Sequence, residues 1–318
     1  DVGGEKSSEF TGKLYWMPAD SLDISLKLGY QQTDDDHFAA YLQPRGENNC
    51  CFRTAEAPRA REYFDGTAKA EDEVNLYTDL LDAAGTSGTE LDRWLAALTI
   101  NWTLPNDITL TSLTGYVNDE IDRGYDTSYA AYDPFNPGPP SLWGAFNNVE
   151  ELEQSDFSQE FRLSSSSDAP LTWTAGMYYY SGDYEETSQK RGYLNGTDLV
   201  ITPGGNLDED EIENMAVFGG AEWAINSSWT TGLELRWARD EIDVTSRAND
   251  ASNQKTGHYS NNTNSLTPRG TVSYRTASDH NYYLSIAKGV KPGDFNTDVP
   301  DLPNGDPDRL EEHTSELQ

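Results

Sequence analysis

The sequence predicts an all-β fold, an antiparallel transmembrane β-barrel with short turns at one end and long loops at the other. Three observations predict it: segments with every second residue apolar, connections of two very different lengths, and aromatic residues beside the short connections. Period two belongs to a strand with one apolar face, and a helix cannot use it. A membrane helix needs about 18 consecutive apolar residues, whereas a barrel strand needs only about 9–11 alternating ones.

The first two pairs of strands show the pattern most clearly. One pair covers residues 10–32 and turns at 18–21, and residues 22–30 then alternate strictly between apolar even positions and mostly polar odd positions. The other pair covers residues 91–118 and turns at 105–107. Each pair therefore predicts a β-hairpin with one apolar face.

Three further pairs repeat this pattern along the chain. The third pair covers residues 156–182 and turns at 164–170. The fourth covers residues 214–240 and turns at 226–228, and the fifth covers residues 265–288 and turns at 276–280. A last segment, 311–318, resembles half of another pair. The sequence thus predicts ten strands, and an eleventh if the last segment is one.

The connections between these pairs are much longer than the turns within them. They cover residues 33–90, 119–155, 183–213, 241–264 and 289–310. A soluble β-sandwich has turns of similar length at both ends, whereas an outer-membrane barrel has short periplasmic turns and long extracellular loops. The asymmetry therefore favours the barrel and predicts that the long connections are extracellular.

The two faces of the predicted strands differ in chemistry. Aromatic residues suited to a lipid–water interface lie within a few residues of the short turns: Tyr15, Trp16, Trp102, Trp173, Trp223, Trp229, Tyr274, Tyr282 and Tyr283. Charged residues occupy the opposite face: Lys27, Arg93, Glu160, Arg162, Glu222, Glu234, Arg236 and Arg275. Charges would be costly inside a sandwich core, but the inner wall of a wide barrel is wet. Strands favour aromatic residues in any protein, so the aromatic ring is the weaker argument.

Composition limits the classes of function. The net charge of −33 disfavours nucleic acid as a partner, because nucleic-acid binding needs a basic surface. The four histidines are scattered, and no catalytic motif is present, so we expect no enzymatic activity, no catalytic residues, no metal site and no cofactor. The adjacent Cys50 and Cys51 could form a strained bond, stay free or pair outside this chain.

Two acidic segments could bind calcium through carboxylate oxygens. They are residues 34–37, at the start of the first long connection, and residues 207–212. Neither has the ligand spacing of a calcium loop, so solvated acidic loops are the preferred interpretation.

The segment 123–146 is the most ligand-like connection. Its aromatic residues could stack on a sugar or an aromatic chelator, or could pack the loop against itself. The candidate ligand-binding residues are Tyr125, Tyr129, Tyr132, Phe135 and Trp143.

Several stretches resemble one protein family. Residues 155–165 (SDFSQEFRLSS) and 171–180 (LTWTAGMYYY) resemble two strands that normally pair in TonB-dependent receptors. Residues 281–296 (NYYLSIAKGVKPGDFN) resemble a fairly specific barrel motif of that family, and residues 309–317 resemble the acidic segment that follows it. The departures at Ile286, Val290, Asp294, Ser315 and Gln318 are mild.

The resemblance implies a 22-stranded barrel around an N-terminal plug domain, in the outer membrane of a Gram-negative bacterium. Residues 1–318 would then be the middle portion of the barrel, with the plug domain and the C-terminal strand outside them. It also implies TonB-dependent uptake of a scarce nutrient, such as an iron–siderophore, cobalamin or a glycan. The implied partners are the small nutrient, membrane lipid and lipopolysaccharide, and the TonB complex, which would act through the plug.

Two alternatives remain open at the level of the sequence. One is a passive porin-like channel or a surface adhesin on a similar barrel. The other is a soluble all-β carbohydrate-binding protein or glycosidase. A plug and a TonB box upstream would favour the receptor, and solubility without detergent would favour the soluble protein.

Overall fold

The computed structural model describes residues 4–35, 88–126, 145–194, 197–200, 205–250 and 253–291. These residues form one 11-stranded antiparallel sheet. The strands are β1 (Glu5–Ala19), β2 (Leu22–Asp35), β3 (Gly88–Leu104), β4 (Ile108–Asp126), β5 (Ala145–Ser164), β6 (Leu171–Leu194), β7 (Thr197–Val200), β8 (Asn206–Ala224), β9 (Trp229–Asp250), β10 (Asn253–Arg275) and β11 (Asn281–Ala287).

The sheet is a meander in which each strand pairs with the next one along the chain. The spatial order is β1-β2-β3-β4-β5-β6-β8-β9-β10-β11, and the short β7 pairs only with β6. The predicted all-β antiparallel fold is therefore confirmed, and the ten long strands correspond to the ten predicted ones. The described residues include no helix of the length and apolarity that crossing a membrane requires.

All five predicted short turns are present, and their sequences explain them. Asn106 and Asp107 have φ angles of 68° and 57°, a left-handed conformation that Asn and Asp tolerate better than most residues. At the turn before β9, the side-chain oxygen of Asn226 accepts hydrogen bonds from the backbone N–H groups of Ser228 and Trp229, at 2.9 and 3.0 Å.

The strands extend well beyond their predicted ends on the side away from the short turns. The prediction that residues 241–264 form a long connection was wrong, because β9 continues to Asp250 and β10 begins at Asn253. Backbone hydrogen bonds continue the ladder there, although the outer-face side chains Glu241 and Asp243 are polar and the apolar Ile242 and Val244 lie on the inner face. Apolar residues on the outer face therefore mark only the part of each strand beside the apolar band, not the end of strand pairing.

The two acidic segments also belong to strands rather than to loops. Residues 207–212 lie in β8, where Glu209 is opposite Glu185 of β6. Asp34 and Asp35 end β2, where Asp34 is opposite Glu90. Asp36 and His37 lie outside the described residues, as do Cys50, Cys51 and residues 311–318.

Cross-strand register defines two faces of the sheet. The outer face carries the apolar positions of the alternating segments, and one row across it joins Ile24, Ile100, Ser112, Phe161, Met177, Val217, Trp237 and Leu266. Many large apolar side chains of this face are exposed, as Leu233 at 65% and Met177 at 57% illustrate. A wide apolar surface of this kind requires a partner other than water.

Aromatic residues border the apolar band of the outer face at both ends. Beside the short turns lie Trp16, Trp102, Trp173, Trp223, Trp229, Tyr274 and Tyr282. Tyr15 and Tyr283, which the sequence grouped with them, lie on the opposite face, opposite Ser25 and Ser273.

A second aromatic row, which the sequence analysis did not recognise, borders the far side of the band: Tyr30, Trp94, Tyr116, Phe157, Tyr179 and Trp237. The Tyr30 and Trp94 rings lie 4.5 Å apart between centroids. Trp229 and Trp237 border the band on β9, eight residues apart, and eight steps of about 3.4 Å measure roughly 27 Å along the strand. At a strand tilt of about 35–45° this length spans a height of roughly 19–22 Å, slightly less than the apolar band of about 25 Å that is typical of outer-membrane barrels.

Candidate functional site

The inner face, on the side opposite the apolar band, carries the predicted charged residues. Register places Lys27, Arg93, Glu160, Arg162, Glu222, Glu234, Arg236 and Arg275 on this one face. Most of these charges are paired within the sheet: Arg162 with Glu160, for example, and Arg269 with Glu234 at 3.4 Å. The inner face is therefore a polar wall whose ion pairs are largely complete.

A groove of about 620 Å³ runs across the inner face from β5 to β11. Charged side chains from four strands, β5, β8, β9 and β10, line it: Glu160, Arg162, Glu222, Glu234, Arg236 and Arg269. Small residues, including Gly220 and Gly232, lie between these charges in the lining of the groove. The groove is large enough for a small organic solute or for part of a larger one.

Gly176 of β6 is the tightest position on the inner face beside the groove. A Cβ atom there would lie 2.5 Å from Cζ of Phe218 and 2.7 Å from the backbone oxygen of Phe161. The Phe218 ring of β8 therefore occupies the space that a side chain at Gly176 would need. This arrangement places an aromatic ring among the charges that line the groove.

The end of the inner face far from the short turns holds a connected polar network. Tyr125 donates a hydrogen bond to Glu150 at 2.7 Å, and Asn148 donates to both Glu150 (2.7 Å) and the Tyr125 hydroxyl (3.0 Å). Arg123 forms an ion pair with Glu150 at 3.3 Å. Burial, together with the hydrogen bond to Glu150, raises the pKa of Tyr125, so the phenol stays neutral and fixes β4 against β5.

Tyr125 is the one predicted ligand-binding residue inside the described part of the chain. Its hydroxyl is already engaged by Glu150 and Asn148. Tyr129, Tyr132, Phe135 and Trp143 lie outside the described residues. The proposed aromatic binding loop therefore stays a prediction.

Strand β6 presents a line of tyrosines on the inner face: Tyr178, Tyr180 and Tyr184. Tyr180 donates a hydrogen bond to Asp156, and Tyr184 donates to Glu186. Burial and the bond to Glu186 raise the pKa of Tyr184 above its ordinary range. Tyr178 lies under the guanidinium of Arg236, 5.4 Å from ring centroid to Cζ. The sequence pattern does not reveal these residues, because its period-two signal comes from the apolar face.

In the part of the chain that the structure describes, these carboxylates do not form a metal site. Within the described residues, no group of three or more His, Cys, Asp or Glu side chains is arranged to hold a metal ion. The carboxylates instead accept hydrogen bonds from Tyr, Asn and Arg side chains.

A sheet with an apolar outer face between two aromatic girdles, and a charged inner face, defines the class of outer-membrane β-barrel proteins. The family model of the TonB dependent receptor-like β-barrel matches residues 15–308. The chain therefore belongs to the TonB-dependent receptor family, whose members are outer-membrane proteins of Gram-negative bacteria. A search of the curated proteins found no significant match.

Solved structures show the same fold. The ferric yersiniabactin uptake receptor FyuA from Yersinia pestis is 14% identical with a TM-score of 0.63, over 95% of this chain and 40% of FyuA. The ferric-catecholate import receptor Fiu from E. coli K12, in its open form, is 11% identical with a TM-score of 0.61, over 92% and 48%. The siderophore receptor PiuA from Acinetobacter baumannii is 15% identical with a TM-score of 0.57, over 90% and 42%.

The chain spans less than half the length of each of these three proteins. The strands that resembled paired family strands, residues 155–164 and 171–180, are indeed hydrogen-bonded neighbours.

Proposed function

We propose that the protein containing this chain is a TonB-dependent transporter that takes up a scarce nutrient across the outer membrane. The observation that carries the proposal is a sheet with two different faces, in a chain of this family. The outer face is apolar between two aromatic girdles, and the inner face carries ion pairs around a groove. Such a wall lets strands cross lipid while a polar solute passes on the other side. Transport would involve no covalent chemistry.

The remaining parts of the receptor belong to the same proposal. Residues 1–318 supply barrel wall, and a plug domain outside them would connect the protein to the TonB complex. The exposed apolar band would contact membrane lipid, and the polar ends of the strands beyond the second girdle would lie at the level of lipopolysaccharide head groups. The nutrient would be an iron–siderophore, cobalamin or a glycan.

The names of the similar structures guide the first probes. FyuA is named as a receptor for ferric yersiniabactin, Fiu as a receptor for ferric catecholates and PiuA as a siderophore receptor. Iron–siderophore complexes are therefore the first nutrients to try. At identities of 11–15% these proteins support the fold, and the ligand of this chain has to be measured.

The test is radiolabelled uptake by Gram-negative cells that express the full-length protein and lack their own receptors. We expect uptake of one nutrient class to saturate and to stop when the TonB complex is deleted. Flux that continues without TonB and rises linearly with concentration would contradict the proposal and indicate a passive channel. A variant with the plug removed is the control for passive leakage.

A further inference from the structure

Arg236 differs from the other arginines of the inner face. Each of the others in the described part of the chain has a carboxylate within 4 Å: Arg93 with Asp119, Arg123 with Glu150, Arg162 with Glu160, Arg269 with Glu234, and Arg275 with Asp279. For Arg236, the described residues supply a ring and an amide but no carboxylate partner. Among the described residues, Arg236 is thus the inner-face arginine that has no ion-pair partner, in a chain with a net charge of −33.

The surroundings of Arg236 fix the orientation of its guanidinium. The group lies over the Tyr178 ring, and its Nη2 donates a 3.1 Å hydrogen bond to Oδ1 of Asn214. Asn214 is held in turn, because its Nδ2 donates to Oδ1 of Asp240 at 2.5 Å. A guanidinium has five N–H donors, so this single described bond leaves several of them for another acceptor.

The position of Arg236 makes it reachable by a solute. It lines the groove of the inner face, together with Phe218. Its chain neighbour Trp237 belongs to the girdle far from the short turns, so Arg236 lies at the outer end of the apolar band. A solute that enters from outside the cell reaches this level before it reaches the turns.

We infer that Arg236 is the anchor for a carboxylate group of the transported solute. A planar guanidinium stacked on a ring binds a carboxylate with two parallel hydrogen bonds. Because the guanidinium is already oriented, its side chain loses little conformational entropy on binding. Glu234 and Asp240 lie on the same face of β9, so a solute with one carboxylate, or with carboxylates neutralised by a chelated metal, is favoured over a free polyanion. The inference rests on the proposed function, because it assigns the carboxylate to the solute.

Calorimetric titration of the full-length protein in detergent tests this inference. Sodium benzoate is the probe, because it carries one carboxylate on a ring that fits beside Tyr178 and Phe218, and neutral benzamide is the matched control. We expect the wild type to bind benzoate and Arg236→Gln to bind it about tenfold more weakly or worse, as for a lost charged hydrogen bond. Arg239→Gln, on the same strand but on the outer face and paired with Glu241, should bind like the wild type. Equal affinity of Arg236→Gln and wild type, benzamide binding as tight as benzoate binding, or no benzoate binding would overturn the inference.

Arginine labelling of the wild-type protein separates a solute from another segment of the protein as the source of the carboxylate. We expect p-hydroxyphenylglyoxal to label Arg236 faster than the paired Arg269, and benzoate to slow labelling of Arg236 alone. If Arg236 resists labelling without benzoate while Arg269 reacts, a segment of the protein already holds it, and the inference is wrong. The labelling needs no variant to fold, and it does not depend on TonB, so its failure is distinct from a failure of uptake.

Discussion

Charged residues on the inner face either form ion pairs within the sheet or remain available to bind a ligand. Arg93 and Asp119 form a closed pair, in which Nε and Nη2 of the arginine donate to the two carboxylate oxygens at 2.7 and 2.6 Å. Asp119 is only 6% exposed, so its charge depends on Arg93 for compensation. Arg236 is held by one hydrogen bond to Asn214 and by the Tyr178 ring, and the described residues supply no carboxylate partner for it. An ion pair such as Arg93–Asp119 stabilises the wall, whereas Arg236 still has N–H donors available to a ligand.

We expect Asp119→Ala to destabilise the protein by about 1–2 kcal/mol. The charged hydrogen bonds would be worth about 1.5–3 kcal/mol, and the exposure of Arg93, whose side chain is 42% accessible, lowers that figure. The measurement is denaturant unfolding of the full-length protein in lipid. Glu241→Ala breaks the exposed pair with Arg239 and should cost less than about 1 kcal/mol. An equal loss of stability in the two variants would contradict the conclusion that the Arg93–Asp119 pair stabilises the wall.

At the scale of a strand, the outer face changes character at the second aromatic girdle. On β9, Leu233 and Leu235 are followed by Trp237 and then by Arg239 and Glu241. The same change occurs on β3, where Trp94 is next to Asp92 on that face. The strand itself continues without a break across this boundary, so the boundary is chemical rather than structural.

A charge in the middle of the apolar band should be costly. We expect Leu233→Arg to lower stability in lipid by about 2–4 kcal/mol, the cost of a cation at the bilayer midplane. Asn262→Arg, on the same face beyond the girdle and opposite Glu241, should cost nothing or stabilise slightly. Unfolding of both variants in lipid vesicles measures the difference, and an equal effect at the two positions would show that the band does not face lipid.

Beyond the girdle, five carboxylates form one row across neighbouring strands. Asp92, Glu120, Glu153, Glu185 and Glu209 are direct cross-strand partners. Like charges in this position repel by about 0.2–1 kcal/mol per pair, so Glu153→Gln should stabilise the protein by a few tenths of a kcal/mol. The gain should shrink at high salt, because Glu153 and its direct partners Glu120 and Glu185 are exposed.

Unfolding at low and high ionic strength measures this gain. Glu241→Gln is the control, since Glu241 pairs with Arg239 and its loss should bring no benefit. A loss of stability on Glu153→Gln would mean that the row is held together by something other than the described side chains.

For the whole molecule, the sequence predicted the strand order, the turns and the division of charges between faces. Those features depend on local rules: alternation sets the face, and Asn, Asp and Pro set the turns. The length of the strands was underestimated, because beyond the girdle the outer-face residues, such as Glu241 and Asp243, are polar, and the apolar Ile242 and Val244 lie on the inner face, out of phase with the apolar band. The second girdle was missed because Trp94 and Trp237 are recognised as a row only once the register is known.

The candidate site was predicted only in part. Successive residues of a strand point to opposite faces, so the apolar positions of β9 predicted that Arg236 and Glu234 lie on the inner face. The stacking of Arg236 on Tyr178, and its bond to Asn214, join residues of β6, β8 and β9. Contacts between strands that are distant along the chain depend on register and on side-chain orientation, which no short motif encodes.

A scan of solvent accessibility along β9 tests the central claim most directly. Single spin labels would be placed at positions 231–243 of the full-length protein in lipid vesicles, with Cys50 and Cys51 replaced by serine. We expect oxygen dissolved in the lipid to enhance the relaxation of spin labels at odd positions up to 237. A water-soluble nickel chelate should enhance the relaxation of labels at even positions. From 239 onward both kinds of position should meet water. Water access at odd positions such as 233 and 235 would contradict a membrane-spanning wall with one lipid face and one wet face.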